Sequence, residues 1–210
     1  MQEKIQNIHQ KFNAPQNEIR LAIMNFIVDN HRPFSLKEDG YTALKGINLS
    51  SAEDFSSITE VLCEKDGMVT DEEGNVNFIY PVSALPTNHH VTLADGREFC
   101  AMCAIDAIGS AFTFHQDTEI HSKCSSCGAD VFVRVKDGKI VEHSPADLHA
   151  LTFTLGEIAN WAGSCWNAMN FFCKKNEMEQ YIADMELDLS TVIQADMDIA
   201  LKEAIATFNV

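Results

Sequence analysis

Apolar residues recur at Ile19, Ala22, Ile23, Phe26 and Ile27, spaced i, i+3, i+4, i+7 and i+8, so residues 16–30 are predicted to form an amphipathic helix that stops before Pro33. Ser35-Leu36-Lys37-Glu38 then predicts a short helix closed by Gly46, and Ser50-Ser51 caps a third helix with Phe55, Ile58 and Leu62 on one face. After Gly67 the period changes. Two short apolar runs between 68 and 80 flank Asp71-Glu72-Glu73-Gly74-Asn75, which is a β-hairpin pattern. Three helices and a hairpin predict a winged-helix-like domain over residues 1–84, with a junction in the stretch 81–86 between two prolines.

Residues 85–210 carry a second pattern. His90-Val91-Thr92-Leu93 and Glu98-Phe99 flank Asp95-Gly96 as one hairpin; residues 131–135 and Lys139-Ile140-Val141-Glu142-His143 flank Asp137-Gly138 as another. Residues 103–112 read as helix. A strand over 148–154, a helix around 155–161, a strand over 168–172 and helices over 176–185 and 197–208 follow. The predicted class is α+β, the C-terminal domain being a mainly antiparallel or mixed sheet covered by helices.

With 210 residues, 46% of them hydrophobic, the chain can bury a substantial core, which excludes a disordered polymer. Its formal charge of −16 carries no basic patch, and the third helix sets Glu53, Asp54, Glu60 and Glu64 against Lys65. Phosphate backbones would be repelled, so the N-terminal domain is expected to have a structural or interaction role and not to bind nucleic acid. No apolar stretch suits a signal peptide or a membrane span, and a cytoplasmic protein is expected. Seven cysteines in a reducing compartment then turn attention to metal binding or thiol chemistry.

Two readings of the central cysteines stand side by side. Cys100-x-x-Cys103 and Cys124-x-x-Cys127 have twenty residues between them, and Gly128 follows the second pair, as in a zinc ribbon. On this reading Cys100, Cys103, Cys124 and Cys127 hold a structural zinc in a non-catalytic regulatory or interaction protein. Against it, Cys103 leads into the apolar Ala104-Ile105-Asp106-Ala107-Ile108, where positions i and i+3 put Cys103 and Asp106 on one helix face. A soft nucleophile beside a proton carrier is a reactive pair. His89-His90 reads as an exposed pair at a strand start, Cys124 as structural, Cys63 and Cys173 as core or surface thiols, and Trp161 and Trp166 as core or pocket lining.

Met102-Cys103-Ala104-Ile105-Asp106, then Ser122-Lys123-Cys124 with Gly128-Ala129-Asp130-Val131, then Cys165 before Phe171-Phe172 and a helix, resembles the alkylmercury (organomercurial) lyase family in motif order. The resemblance extends over nearly the whole chain. Counted back from Phe171-Phe172 without a gap, the family's second cysteine falls on Trp166 and Cys165 lies one residue early, so either the loop carries a one-residue insertion or the second thiol is displaced and the activity altered. The family reading implies protonolysis of a carbon–mercury bond without a cofactor, with Cys103 and Cys165 as mercury ligands and Asp106 as proton carrier. It also implies low-molecular-weight thiols that supply substrate and accept Hg(II), with mercuric reductase as a downstream partner. The helix start is expected to lower the Cys103 thiol pKa; the same field lowers that of Asp106, so burial by Phe99, Phe112 and Phe171 would have to raise it again for Asp106 to store a proton.

Overall fold

Asn13 starts the first helix, α1 (Ala14–Asn30): its side chain accepts from the Gln16 amide, Gln16 reaches back to the Asn13 amide, and Pro15 occupies the first turn. The computed structural model describes residues 7–47, 49, 51–154 and 166–209. Helix α1 buries Ile19, Ile23 and Ile27 of the predicted stripe together with Met24 and Val28, while Ala22 and Phe26 are half-buried. The predicted second helix is replaced by a strand and a turn. Phe34 is fully buried with its ring edge-on to Phe26 and Phe55, and it lies in strand β1 (Phe34–Ser35) opposite Val76. Asp39 competes for the local backbone: its carboxylate accepts from the Ser35 amide at 2.8 Å and from Arg32, leaving only a short 3-10 turn over Tyr41–Ala43. Helix α2 (Ala52–Glu64) forms as predicted, capped by Ser51 and burying Phe55 and Leu62.

The chain then builds β2 (Val69–Thr70), β3 (Asn75–Ile79), β4 (Val82–Ser83), β5 (His89–Leu93), β6 (Glu98–Ala101), helix α3 (Ala104–Thr113), β7 (Thr118–Lys123), β8 (Asp130–Lys136), β9 (Lys139–Ser144) and β10 (His149–Phe153). After a 3-10 turn over Trp166–Ala168 come β11 (Phe171–Phe172), α4 (Lys175–Asp184), β12 (Val192–Asp196) and α5 (Met197–Phe208). The helix predicted around 155–161 lies outside the described residues. The strand predicted over 168–172 is confined to β11.

The larger sheet runs β1-β3-β4-β6-β5-β7-β8-β9 with β2 also paired to β3, and a second sheet runs β11-β10-β12. Every described pairing is antiparallel. Strand β4 pairs with β3 on one side (Phe78 opposite Ser83) and with β6 on the other (Val82 opposite Ala101), so one sheet crosses the predicted junction. Helix α3 lies over β5 to β8 and against α5, which covers β10 and β12. The two helices approach so closely that a Cβ on Gly109 would fall 2.1 Å from the Phe208 ring. Among the described residues no helix is long and apolar enough to cross a membrane.

Candidate functional site

Strand β6 buries Phe99 and Ala101 and then hands over to α3, with Cys103 as the N-cap in extended conformation. Two neighbours fix this corner: the Ala104 amide donates to the Met169 carbonyl at 2.9 Å, and the Met102 amide donates to the Pro81 carbonyl at 3.3 Å. The Cys103 sulfur accepts from the Asp106 amide at 3.4 Å, as a serine would at the same position. Its thiol donates to Asp106 Oδ2 at 2.6 Å. Both side chains are inside the protein, Cys103 at 1% and Asp106 at 3% exposure, so the i, i+3 pairing read from the sequence is a buried contact.

Burial raises the Asp106 carboxyl to about 7, with hydrogen bonds from Cys103 opposing it more weakly. The Cys103 thiol is pushed well above its ordinary value, first by burial and then by the Asp106 carboxylate. The lowering expected from the helix start does not prevail. Amide groups of Asp106 and Ile105 do act in that direction, but desolvation and the neighbouring carboxylate outweigh them. At neutral pH the thiol therefore keeps its proton, and the carboxyl, close to its own pKa, offers an acceptor in contact when it is ionised. Replacement of that proton by a soft cation would pass it to Asp106.

Histidine 89 corrects another expectation. Strand β5 turns His89, Val91 and Leu93 inward, so His89 is buried, shares a 2.9 Å hydrogen bond with Ser122 and meets the Phe171 ring edge-on. Burial lowers it to about 4, which leaves it neutral. His90 faces outward, its Nδ1 3.7 Å from the Cys100 sulfur, in a cleft of about 510 Å³ whose lining includes neither Cys103 nor Asp106.

The zinc-ribbon quartet is not assembled. Cys100 on β6 points to His90 on β5 whereas Cys103 is engaged with Asp106, because Cys100-x-x-Cys103 spans a strand-to-helix change and not a knuckle. Cys124 and Cys127 instead join Cys173 and Glu177, and their ligand atoms all lie within 4.8 Å of one another. Cys173 is thus no isolated thiol; it stands just before the helix that carries Glu177, and its cysteine partners come from the β7–β8 turn. Cys165 and the side chain of Trp166 lie outside the described residues.

A family model described as alkylmercury lyase matches residues 82–206, more than half of the chain. Alkylmercury lyases of Bacillus cereus and Clostridium butyricum are each 26% identical over 125 residues, covering 60% of this chain. The match spans 56% of those relatives' length. That of Staphylococcus epidermidis is 22% identical over 147 residues, 70% of this chain and 67% of the relative. The crystal structure of the mercury-bound form of MerB2 superposes with a TM-score of 0.73 at 18% identity, covering 95% of this chain and 92% of that one, a likeness of fold.

Proposed function

The chain belongs to the alkylmercury lyase family, and on that premise we propose that it cleaves the carbon–mercury bond of organomercurials by protonolysis, with Cys103 and Cys165 as mercury ligands and Asp106 as proton carrier. The observation that carries the reading is the buried Cys103 thiol 2.6 Å from a carboxyl whose pKa is raised to about 7. Mercury prefers sulfur ligands, so the substrate arrives as R–Hg–SR′, the adduct of a low-molecular-weight thiol. Cys103 sulfur takes the mercury and passes its proton to Asp106, while the leaving thiolate R′S⁻ takes the proton of Cys165. With two thiolates donating to mercury, Asp106 delivers its proton to carbon, and the electron pair of the carbon–mercury bond becomes the carbon–hydrogen bond. The sum is R–Hg–SR′ plus two cysteine thiols giving R–H, a dithiolate of Hg(II) and R′SH. Mercury keeps its oxidation state, so the step needs no redox cofactor.

Cellular thiols then remove Hg(II), and mercuric reductase is the proposed consumer in the cytoplasm. Residues 1–84 we read as a scaffold for the catalytic unit, not a nucleic-acid reader. Contacts that support this are the Met102 amide donating to the Pro81 carbonyl and the Arg97 guanidinium donating to Asn25 Oδ1 at 3.0 Å. The test is methane release from methylmercury with excess thiol, measured in the headspace. Wild-type protein should release methane, and Cys103→Ser and Cys165→Ser should each fall to background. Folded wild-type protein that releases none would overturn the reading, and a Cys165→Ser variant at the wild-type rate would overturn the two-thiolate step.

A further inference from the structure

The turn joining β7 to β8 has the build of a metal knuckle. Cys124 and Cys127 bracket two serines; the Cys124 amide donates to the Ala129 carbonyl and the Gly128 amide to the Cys124 carbonyl, each at 2.9 Å. Gly128 adopts φ 72°, a left-handed conformation that turns the chain back after Cys127. Facing this turn is the start of α4, where Cys173 precedes the N-cap Lys174 and Glu177 sits in the first turn. Two hydrogen bonds tie the turn to that start: the Ser125 amide donates to the Phe171 carbonyl at 3.0 Å, and the Cys173 amide donates to the Cys124 sulfur at 3.3 Å. The Cys124 sulfur also lies 3.4 Å from Glu177 Oε2.

We propose that Cys124, Cys127, Cys173 and Glu177 form a structural zinc site, separate from the Cys103–Asp106 pair. Three sulfurs and one carboxylate oxygen already lie within 4.8 Å of one another, Cys124 and Cys173 buried, Glu177 half-buried and Cys127 exposed. A tetrahedral zinc with Zn–S of about 2.3 Å holds its sulfurs about 3.8 Å apart, so the cluster needs to contract by about 1 Å at most. Such a closed set of four protein ligands is that of a structural site, and its sulfur content selects a thiophilic ion over magnesium or calcium. Bound zinc would staple the β7–β8 turn to a helix start 49 residues away in sequence, fixing the chain just downstream of Cys165.

The full chain, purified without chelators and before any exposure to mercury, should carry one zinc per chain by plasma mass spectrometry. Cys100→Ser and Cys103→Ser should retain it. Cys127→Ser changes an exposed side chain and should lower zinc affinity by about tenfold or more in competition with a chromophoric chelator; Glu177→Gln should weaken it too. Cobalt(II) in place of zinc should give thiolate charge-transfer absorption that Cys173→Ser diminishes. Protein that carries no zinc and takes up none when it is added would overturn the proposal, as would loss of zinc from Cys103→Ser in place of Cys127→Ser. Unchanged affinity in Glu177→Gln would remove the carboxylate from the site. Carbon–mercury cleavage is not presupposed, since Cys103→Ser should abolish methane release and keep its zinc.

Discussion

A cysteine at a helix N-cap meets unpaired amide groups that favour the thiolate, yet Cys103 remains a thiol because burial and the adjacent carboxylate outweigh them. The same burial lifts Asp106 to about 7, against about 3.9 in an unfolded chain. Between those values the folded protein binds a proton that the unfolded chain does not, so this group's contribution to stability is present at low pH and lost as pH rises through about 7. His89 acts in the opposite sense. Its pKa of about 4 lies below the ordinary 6.5, so its contribution is present above about 6.5 and lost as pH falls toward 4. Comparing Asp106→Asn with wild type cancels the histidine effect. Denaturant midpoints should show the variant gaining on wild type by on the order of 2–3 kcal/mol between pH 5 and pH 8. An equal offset at both pH values would contradict the raised carboxyl.

At the scale of elements, helix α3 can present Cys103 and Asp106 because it lies against both the sheet and α5. That approach depends on Gly109, where an added Cβ would overlap the Phe208 ring at 2.1 Å. Gly109→Ala should therefore lower stability by about 1–3 kcal/mol despite its higher helix propensity, read as a fall in melting temperature. A variant at least as stable as wild type would show that the helices can separate without cost. Helices α1 and α2, the turn-marked hairpins and the Cys103–Asp106 contact were legible in the sequence because each follows from spacing within about ten residues. The two-residue strands β1 and β4 were not, since so short a run has no period. Strand β1 exists because Phe34 fills a space between Phe26 and Phe55 and pairs with β3, and Ser35 and Asp39 resemble a helix start until that pairing is known. The cluster of Cys127 with Cys173 was equally hidden, because two elements distant in sequence build it.

Over the whole molecule, the larger sheet carries the chain from the N-terminal helices to the candidate site without a break, and Arg97 reinforces the crossing by donating to the Asn25 and Asp29 side chains of α1. The corner that holds Cys103 is fixed from both sides, by Pro81 before it and Met169 after it. Family membership supports carbon–mercury protonolysis, and the proposed proton relay rests on one buried contact, that of Cys103 with Asp106. The decisive measurement is a single-turnover reaction of Asp106→Asn with methylmercury, recording mercury retained by the protein and methane released from it. The account predicts that the variant still captures methylmercury through its thiols and that methane release falls by about 10²–10⁴-fold, the usual range for loss of a positioned general acid. Methane released within a few-fold of the wild-type rate would show that the proton reaches carbon by another route.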